Sequence, residues 1–280
     1  MAATRAFSQV DVFSSLHYRG NPVAVIAEAD GLSTTQMQEV ARWTNLSETT
    51  FLLPPTVAGA DYRVRIFTPG GELPFAGHPT LGSAHAWLTG GGIPADSGTV
   101  IQECAAGLIT IRRDKDGLAF AAPPLHRSGE IEADYLALMI KAFGIRQDQV
   151  LAHQWVDNGP GWAVIELASA QEVLDLEPDF SGIPTAMVGA FGAHPAGNRH
   201  HYEMRAFAPG GGIYEDPICG SINASVGQWL HRRGSITGRY LVSQGRRLHR
   251  SGELIITPDS DGTIWVGGPT NTLFSGRALL

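Results

Sequence analysis

Two short stretches of the chain have the make-up of anion sites. Ala76-Gly77-His78 and Cys219-Gly220-Ser221 each follow a glycine-rich turn and open a segment with helical patterning. The first residues of a helix carry backbone N–H groups without intrahelical partners and the positive end of the helix dipole. A carboxylate fits such a place. A single glycine turn before a helix is equally an ordinary tight connection. Here there are two, each with a polar side chain, His78 and Ser221, which favours binding, with Gly77 and Gly220 letting the ligand approach the backbone.

Acids that could move a proton stand at other turns. Glu48 lies in Asn45-Leu46-Ser47-Glu48-Thr49-Thr50-Phe51, at the expected start of a strand with apolar residues just beyond. A carboxylate there is either a strand-end surface charge or a partly buried acid/base. An apolar wall raises a carboxyl pKa toward the working pH, which suits proton transfer. Glu72, Glu215 and Asp216 are further acids close to the two glycine turns. Cys219 is either a small packed residue or a thiol activated by the helix N-terminus, which lowers thiol pKa. Metal-ligand spacing is absent: there is no CxxC and no HExxH. The ten His are scattered, and the one adjacent pair, His200-His201, reads as a surface pair.

The elements that must position these groups are short. Strands are expected near 9–13, 22–26, 49–53, 62–67, 100–104, 108–112, 118–121, 150–153, 162–167, 240–242, 254–257 and 264–266. Ser33 and Gln36 form a capping-box pattern, with Leu32 and Met37 spaced as a hydrophobic staple. Helices are expected from Ser33 to about Asn45, and over 79–88, 133–143 and 221–231, with Pro79 at the first helical position. Turn chemistry over Tyr18-Arg19-Gly20-Asn21-Pro22 separates the first two strands. Strands and single helices are interspersed in both halves, without the long alternation of a doubly wound sheet.

Composition narrows the class. The 280 residues suffice for one large domain or two small ones. The hydrophobic share is 43% and the charged share only 17%, so much of the chain is expected to be buried. No apolar run reaches the roughly 20 residues of a membrane span. Twenty basic and 27 acidic residues give a net charge of −7, with no basic stripe to mark nucleic-acid binding. Two cysteines cannot build a disulfide framework, and the N-terminus has no apolar signal segment, so a cytoplasmic protein with reduced thiols is expected. The 34 glycines punctuate the chain regularly, as many short strands joined by tight turns require.

The two halves repeat. Arg65-Ile66-Phe67-Thr68-Pro69-Gly70-Gly71 matches Arg205-Ala206-Phe207-Ala208-Pro209-Gly210-Gly211; the two anion turns follow in order, and Trp87-Leu88 echoes Trp229-Leu230. Three anchors in order, each in a strand–turn–helix context, point to duplication. Pro123-Pro124 marks the boundary, giving domains 1–122 and 123–280, with a last strand that can cross back to the first domain.

At these residues the sequence resembles the PhzF-like proteins of phenazine biosynthesis, members of the diaminopimelate-epimerase superfold. The signatures are Gly20-Asn21-Pro22-Val23-Ala24-Val25, residues 45–51, and residues 65–79 (RIFTPGGELPFAGHP). The second half adds Asn158-Gly159-Pro160, residues 215–221 (EDPICGS), and Gln244-Gly245 followed by Arg250. The resemblance covers essentially the whole chain. It implies an α+β fold of two similar domains, each a curved sheet around a central helix, with an active site in the inter-domain cleft and a homodimeric assembly. It also implies an isomerase of the trans-2,3-dihydro-3-hydroxyanthranilate type that works without metal or organic cofactor. Carried onto this chain, Glu48 is the general base and acid, and His78, Asp216 and Ser221 surround the substrate.

There are departures. Related racemases and epimerases use two cysteines, each just before a loop glycine; here Cys219 fills one such place and Ala76 the other. Ile222-Asn223-Ala224 and Gly70-Gly71 also differ from the phenazine enzymes, which bears on the substrate more than on proton transfer. The leading expectation is a proton shift within a small carboxylated, amine-bearing substrate. The alternatives are a racemase or epimerase using Cys219, and a binding protein with little catalysis.

Overall fold

A computed structural model describes residues 3–280. The chain divides into two compact units, one of residues 1–121 with 267–280 and the other of residues 122–266. The final strand, Thr270–Leu279, thus belongs to the first unit.

In the first unit the strand Thr4–Val12 pairs antiparallel with both Thr270–Leu279 and Asn21–Ile26. Asn21–Ile26 runs parallel to Glu48–Leu53, which pairs antiparallel with Tyr62–Phe67. Tyr62–Phe67 is parallel to Thr99–Cys104, and a meander through Gly107–Asp114 and Gly117–Ala121 completes the order. The helix Gly77–Thr89 touches strands at both ends of that order, Thr270–Leu279 and Gly117–Ala121. A sheet whose two ends reach one helix has curled around it, as strand twist allows. Nine of the helix's 13 residues are buried. Gly82 lies against Val12 and Val23, and a Cβ there would overlap the Val23 side chain. The helix Thr34–Thr44 covers the outer face, where Met37 and Ala41 join Ile26, Phe51 and Phe67. Its capping box of Ser33 and Gln36 forms as the pattern predicts, and Asn45 closes it in the left-handed conformation.

The second unit repeats these strand senses. Ala152–Asp157 is antiparallel to Ala163–Leu167, which is parallel to Val188–Ala193. Tyr202–Ala208 follows antiparallel, Tyr240–Gln244 parallel to it, and Gly252–Pro258 antiparallel again. The helix Gly220–Arg232 touches Ala152–Asp157 and Gly252–Pro258, and nine of its 13 residues are buried. Outside this sheet the helix Ala133–Phe143 and the segment through Val173, Phe180 and Ile183 form a second core with Ile165, Val188 and Phe207.

The structure revises several expected boundaries. The first central helix starts at Gly77, so Pro79 is its third residue and not its first. The energetic reasoning survives, because the first four N–H groups of a helix lack intrahelical partners. The strand expected at 150–153 runs Ala152–Asp157, and Val188–Ala193 is a strand that local patterning does not announce.

The duplicated strand motif builds the same device twice. Arg65 grips Glu72 with two hydrogen bonds of 2.7 and 2.6 Å, and Arg205 grips Glu215 with two of 2.9 Å. Each guanidinium also lies over the phenylalanine two residues on, Phe67 or Phe207. The pairs differ in burial: side-chain exposures are 19% and 34% in the first, 4% and 5% in the second. Arg205 further donates to the carbonyls of Val173 and Leu176. Glu72 and Glu215, candidate acids on sequence grounds, are therefore held by arginine. Removing one partner of a buried pair strands a charge, whereas an exposed pair contributes little. Glu215→Ala is expected to lower unfolding stability by about 3 kcal/mol or more, and Glu72→Ala by roughly 1 kcal/mol or less, in urea titrations.

Candidate active site

The first unit brings Glu48 and His78 together. Glu48 opens its strand, opposite Val23 in the parallel ladder, and is 8% exposed. The helix that ends at Asn45 delivers it. His78 is the second residue of the Gly77 helix, and its Nε2 lies 3.3 Å from Glu48 Oε2. On the ring's other side Asn21 Nδ2 is 3.3 Å from His78 Nδ1, and Ser47 Oγ donates to Asn21 Oδ1 at 3.2 Å. Asn21 is placed by the turn before it. Asp11 Oδ2 accepts the N–H groups of Arg19 and Gly20, both at 3.0 Å, and a Cβ on Gly20 would overlap the Val12 carbonyl. Glycine is needed there for close approach.

Burial sets the charge of the histidine. It pulls the His78 pKa down to about 3, with the Pro22 carbonyl acting weakly the other way. The imidazole is thus neutral near pH 7, and Glu48 faces an uncharged ring instead of a cation. The helix N-terminus beside them has no side-chain cap: Ala76 is the N-cap, and Gly77 and His78 are buried. Backbone donors at such an end are available to an anion.

The second unit gathers Asp216, Cys219, Gly220 and Ser221. Cys219 is the N-cap of the Gly220 helix and likewise provides no side-chain cap. Ser221 Oγ accepts from Trp162 Nε1 at 2.9 Å, and Asn158 Nδ2 donates to the Ser221 carbonyl at 3.0 Å. Asp216 Oδ1 accepts from the Ile218 N–H at 3.2 Å. Gln244 ties the turn together. Its Oε1 accepts from the Cys219 N–H at 3.1 Å and from Asn223 Nδ2 at 2.8 Å, while its Nε2 donates to the Asp216 carbonyl at 3.0 Å. Gly245 lets that segment pass, since it has positive φ and a Cβ there would press on the Pro217 carbonyl.

Of the two readings of Cys219, its surroundings favour the packed one. A helix N-terminus lowers thiol pKa in exposed settings, but burial pushes this thiol well above its ordinary value, and the nearby Asp216 adds to the rise. Its Sγ lies 3.4 Å from Ser221 Oγ. The residue is a packed, protonated thiol. The equivalent N-cap of the first unit is Ala76, so the paired-thiol arrangement is absent from these two positions.

Sequence reasoning singled out Glu48, His78, Gly77, Asp216, Cys219, Gly220 and Ser221, and the structure clusters the first three in one unit and the other four in the second. It did not assign roles to Asn21, Ser47, Trp162 or Gln244. Three of these lie in motifs already visible as signatures; Trp162 carried no signal beyond its strand pattern. Among the described residues no group of three His, Cys, Asp or Glu side chains is placed to hold a metal ion, and no helix is long and apolar enough to cross a membrane.

Known proteins match this chain. A family model described as "Phenazine biosynthesis-like protein" matches residues 10–278. "Antisense-enhancing sequence 1" of Schizosaccharomyces pombe is 37% identical, over 98% of this chain and 99% of its own. The trans-2,3-dihydro-3-hydroxyanthranilate isomerase of Pseudomonas aeruginosa is 32% identical, over 97% of this chain and 98% of its own. The crystal structure of a phenazine biosynthesis protein of the PhzF family from Enterococcus faecalis shares the fold, with a TM-score of 0.82 at 24% identity, covering 99% of this chain and 100% of that one.

Because the native His78 pKa lies near 3, below the ordinary 6.5, the unfolded state binds more protons between those values. Stability from this group is therefore present above about pH 6.5 and is lost as pH falls toward 3. The expected NMR titration shows a His78 ring still neutral at pH 5; a midpoint near 6.5 would contradict the burial. Native protein at pH 8 is expected to leave Cys219 unalkylated by iodoacetamide, with labelling appearing on denaturation.

Proposed function

Since the chain belongs to the phenazine biosynthesis-like protein family and is an isomerase, we propose that it moves a proton within a small carboxylated, amine-bearing substrate, with Glu48 as general base and acid. The observation that carries this reading is a carboxylate, Glu48, almost wholly buried 3.3 Å from a neutral imidazole and next to an uncapped helix N-terminus.

Each part has a physical task. A cationic histidine would pin Glu48 as an ion pair and weaken it as a base. A neutral one forms no ion pair with the carboxylate and tolerates its protonated form as well. The backbone N–H groups at Gly77 bind the substrate carboxylate. For a dihydro-hydroxyanthranilate-like substrate, Glu48 takes the proton from the ring carbon bearing the hydroxyl. It returns that proton to another carbon of the conjugated system, and the resulting enol relaxes to the ketone. Composition is unchanged, so the step requires no oxidant or reductant. Asp216, Ser221 and the N–H groups at Gly220 hold polar groups of the substrate.

The test is NMR of the protein with trans-2,3-dihydro-3-hydroxyanthranilate in deuterated water. Wild type is expected to consume the diene with deuterium entering the product, and Glu48→Gln to lose at least roughly 100-fold in rate while keeping its fold. Turnover by Glu48→Gln at the wild-type rate would overturn the mechanism. Asp216→Asn and Ser221→Ala are expected to raise KM more than they lower kcat, the pattern of lost ground-state binding.

A further inference from the structure

We propose that Glu203 is a proton-operated latch within the second unit. Carrying a proton, it holds the turn 194–201 against the strand Tyr240–Gln244. Ionised, it loosens that strand and, with it, the N-terminus of the Gly220 helix. That a ligand uses this helix end rests on the reading given above; the latch itself does not.

The duplication shows what is unusual about this acid. Tyr62 and Arg63 lie opposite Gln102 and Glu103 on parallel strands, and Tyr202 and Glu203 lie opposite Val242 and Ser243 in the same way. In the first unit the carboxylate of this pair is well provided for. Glu103 accepts from the N–H groups of Thr56 and Val57 and from the Thr56 hydroxyl, with Arg63 4.0 Å away. Burial works against its charge, but these partners outweigh burial and hold its pKa below the ordinary carboxylate value. In the second unit the carboxylate stands on the other strand and has fewer donors.

Glu203 is fully buried. Its Oε2 lies 2.6 Å from Ser243 Oγ, 3.3 Å from Arg246 Nε and 3.4 Å from His194 Nε2. Its Oε1 is buried without a hydrogen-bond partner among the described residues. Ser243 Oγ also lies 2.8 Å from His194 Nε2 and 3.3 Å from the Tyr202 carbonyl. Protonated, the acid donates to Ser243, whose own proton goes to His194 or to the Tyr202 carbonyl. Ionised, it takes the Ser243 proton at Oε2 and leaves charge on Oε1, where nothing donates. A buried charge without donors is costly, and a neutral carbonyl oxygen less so.

The surrounding charges set where the balance falls. Burial opposes the ionised form most and Glu215 adds to it, while Ser243, Arg246 and Arg205 favour ionisation; the Glu203 pKa is pushed up to about 7. His194 supplies no compensating cation, because burial, then Arg246 and His200, pull its pKa down. His200 and Arg199 are engaged by Glu253.

The backbone carries the effect onward. The His194 N–H donates to the His201 carbonyl at 2.9 Å and the His201 N–H to the Leu241 carbonyl at 2.8 Å. The residue after Ser243 is Gln244, which holds Cys219, Asn223 and Asp216. Water can donate to Oε1 only as the turn or the strand parts. Between the ordinary carboxylate value of 4.5 and about 7, the native state keeps a proton that the unfolded state has lost. This group's contribution to stability therefore falls as pH rises through that window.

Hydrogen exchange of backbone amides, corrected for its intrinsic pH dependence, reads the latch without any substrate. Glu203→Gln keeps the shape of the acid and never ionises. Between pH 5 and pH 8 the open population at the His201 and Cys219 amides is expected to rise roughly 10- to 50-fold more in wild type than in Glu203→Gln. Equal pH dependence in the two proteins would overturn the proposal, and a response at His201 without one at Cys219 would remove the link to the helix end. If Glu203→Gln fails to fold, carbon NMR of the wild-type Glu203 carboxyl decides: a midpoint near 7 is expected, and one below about 5 contradicts the latch. Arg246→Gln, a change at a half-exposed side chain, is expected to raise that midpoint; an unchanged or lower one counts against the balance of charges described. None of these readouts involves turnover, so failure of the Glu48 reading would leave them as they are.

Discussion

Two helices enclosed by their own sheets bury their sides and their N-terminal ends, and most of this molecule follows from that constraint. The Gly77 and Gly220 helices are each wrapped by strands, so their contact faces must be small where backbone approaches; Gly82 and Gly189 provide that room. Their N-termini go into protein without a side-chain cap. An orphan backbone donor in such a place is costly when left alone and useful when a ligand carries negative charge. The same enclosure keeps His78 neutral and the Cys219 thiol protonated. One packing decision thereby leaves two uncapped helix N-termini, an uncharged imidazole and a protonated thiol.

Duplication explains why the constraint is met twice with different results. Both units use a parallel, antiparallel, parallel, antiparallel run of strands and both lock the turn before the central helix with a bidentate arginine–glutamate pair. The scaffold is shared, but the residues at the helix mouths have diverged. One mouth holds Ala76 and His78, the other Cys219 and Ser221. The first unit sets an imidazole against a carboxylate, while the second builds a hydroxyl into a network through Trp162, Asn158 and Gln244.

Much of this is legible in the residues themselves, and what is not has identifiable causes. The Ser33–Gln36 cap, the Tyr62–Phe67 alternation and the repeated glycine turns are local patterns, and they appear where the pattern puts them. Val188–Ala193 is hidden because the strand is buried on both faces: Gly189 makes room for Ile222 and Gly192 for the Ser169 carbonyl, which erases alternation. The capture of Glu72 by Arg65, and of Glu215 by Arg205, depends on hairpins that bring back residues several positions apart. Asn21 depends on the register of parallel strands more than 20 residues apart in sequence, which no window of local pattern contains. Cys219 was readable as a helix-end thiol, but desolvation comes from the whole unit around it.

The pairing of Thr4–Val12 with Thr270–Leu279 carries a consequence for how the molecule is made. The second unit is continuous, residues 122–266, whereas the first needs residues 267–280 as well. During synthesis the strands around Gly77 leave the ribosome first yet remain one strand short, with an edge of Thr4–Val12 unpaired, until the second unit has been translated. Domains fold as units as their chain emerges, so the order of completion is the reverse of the order of emergence. The half that holds Glu48 closes last, around a chain whose other half is already built, and its open edge must stay out of trouble for that whole interval.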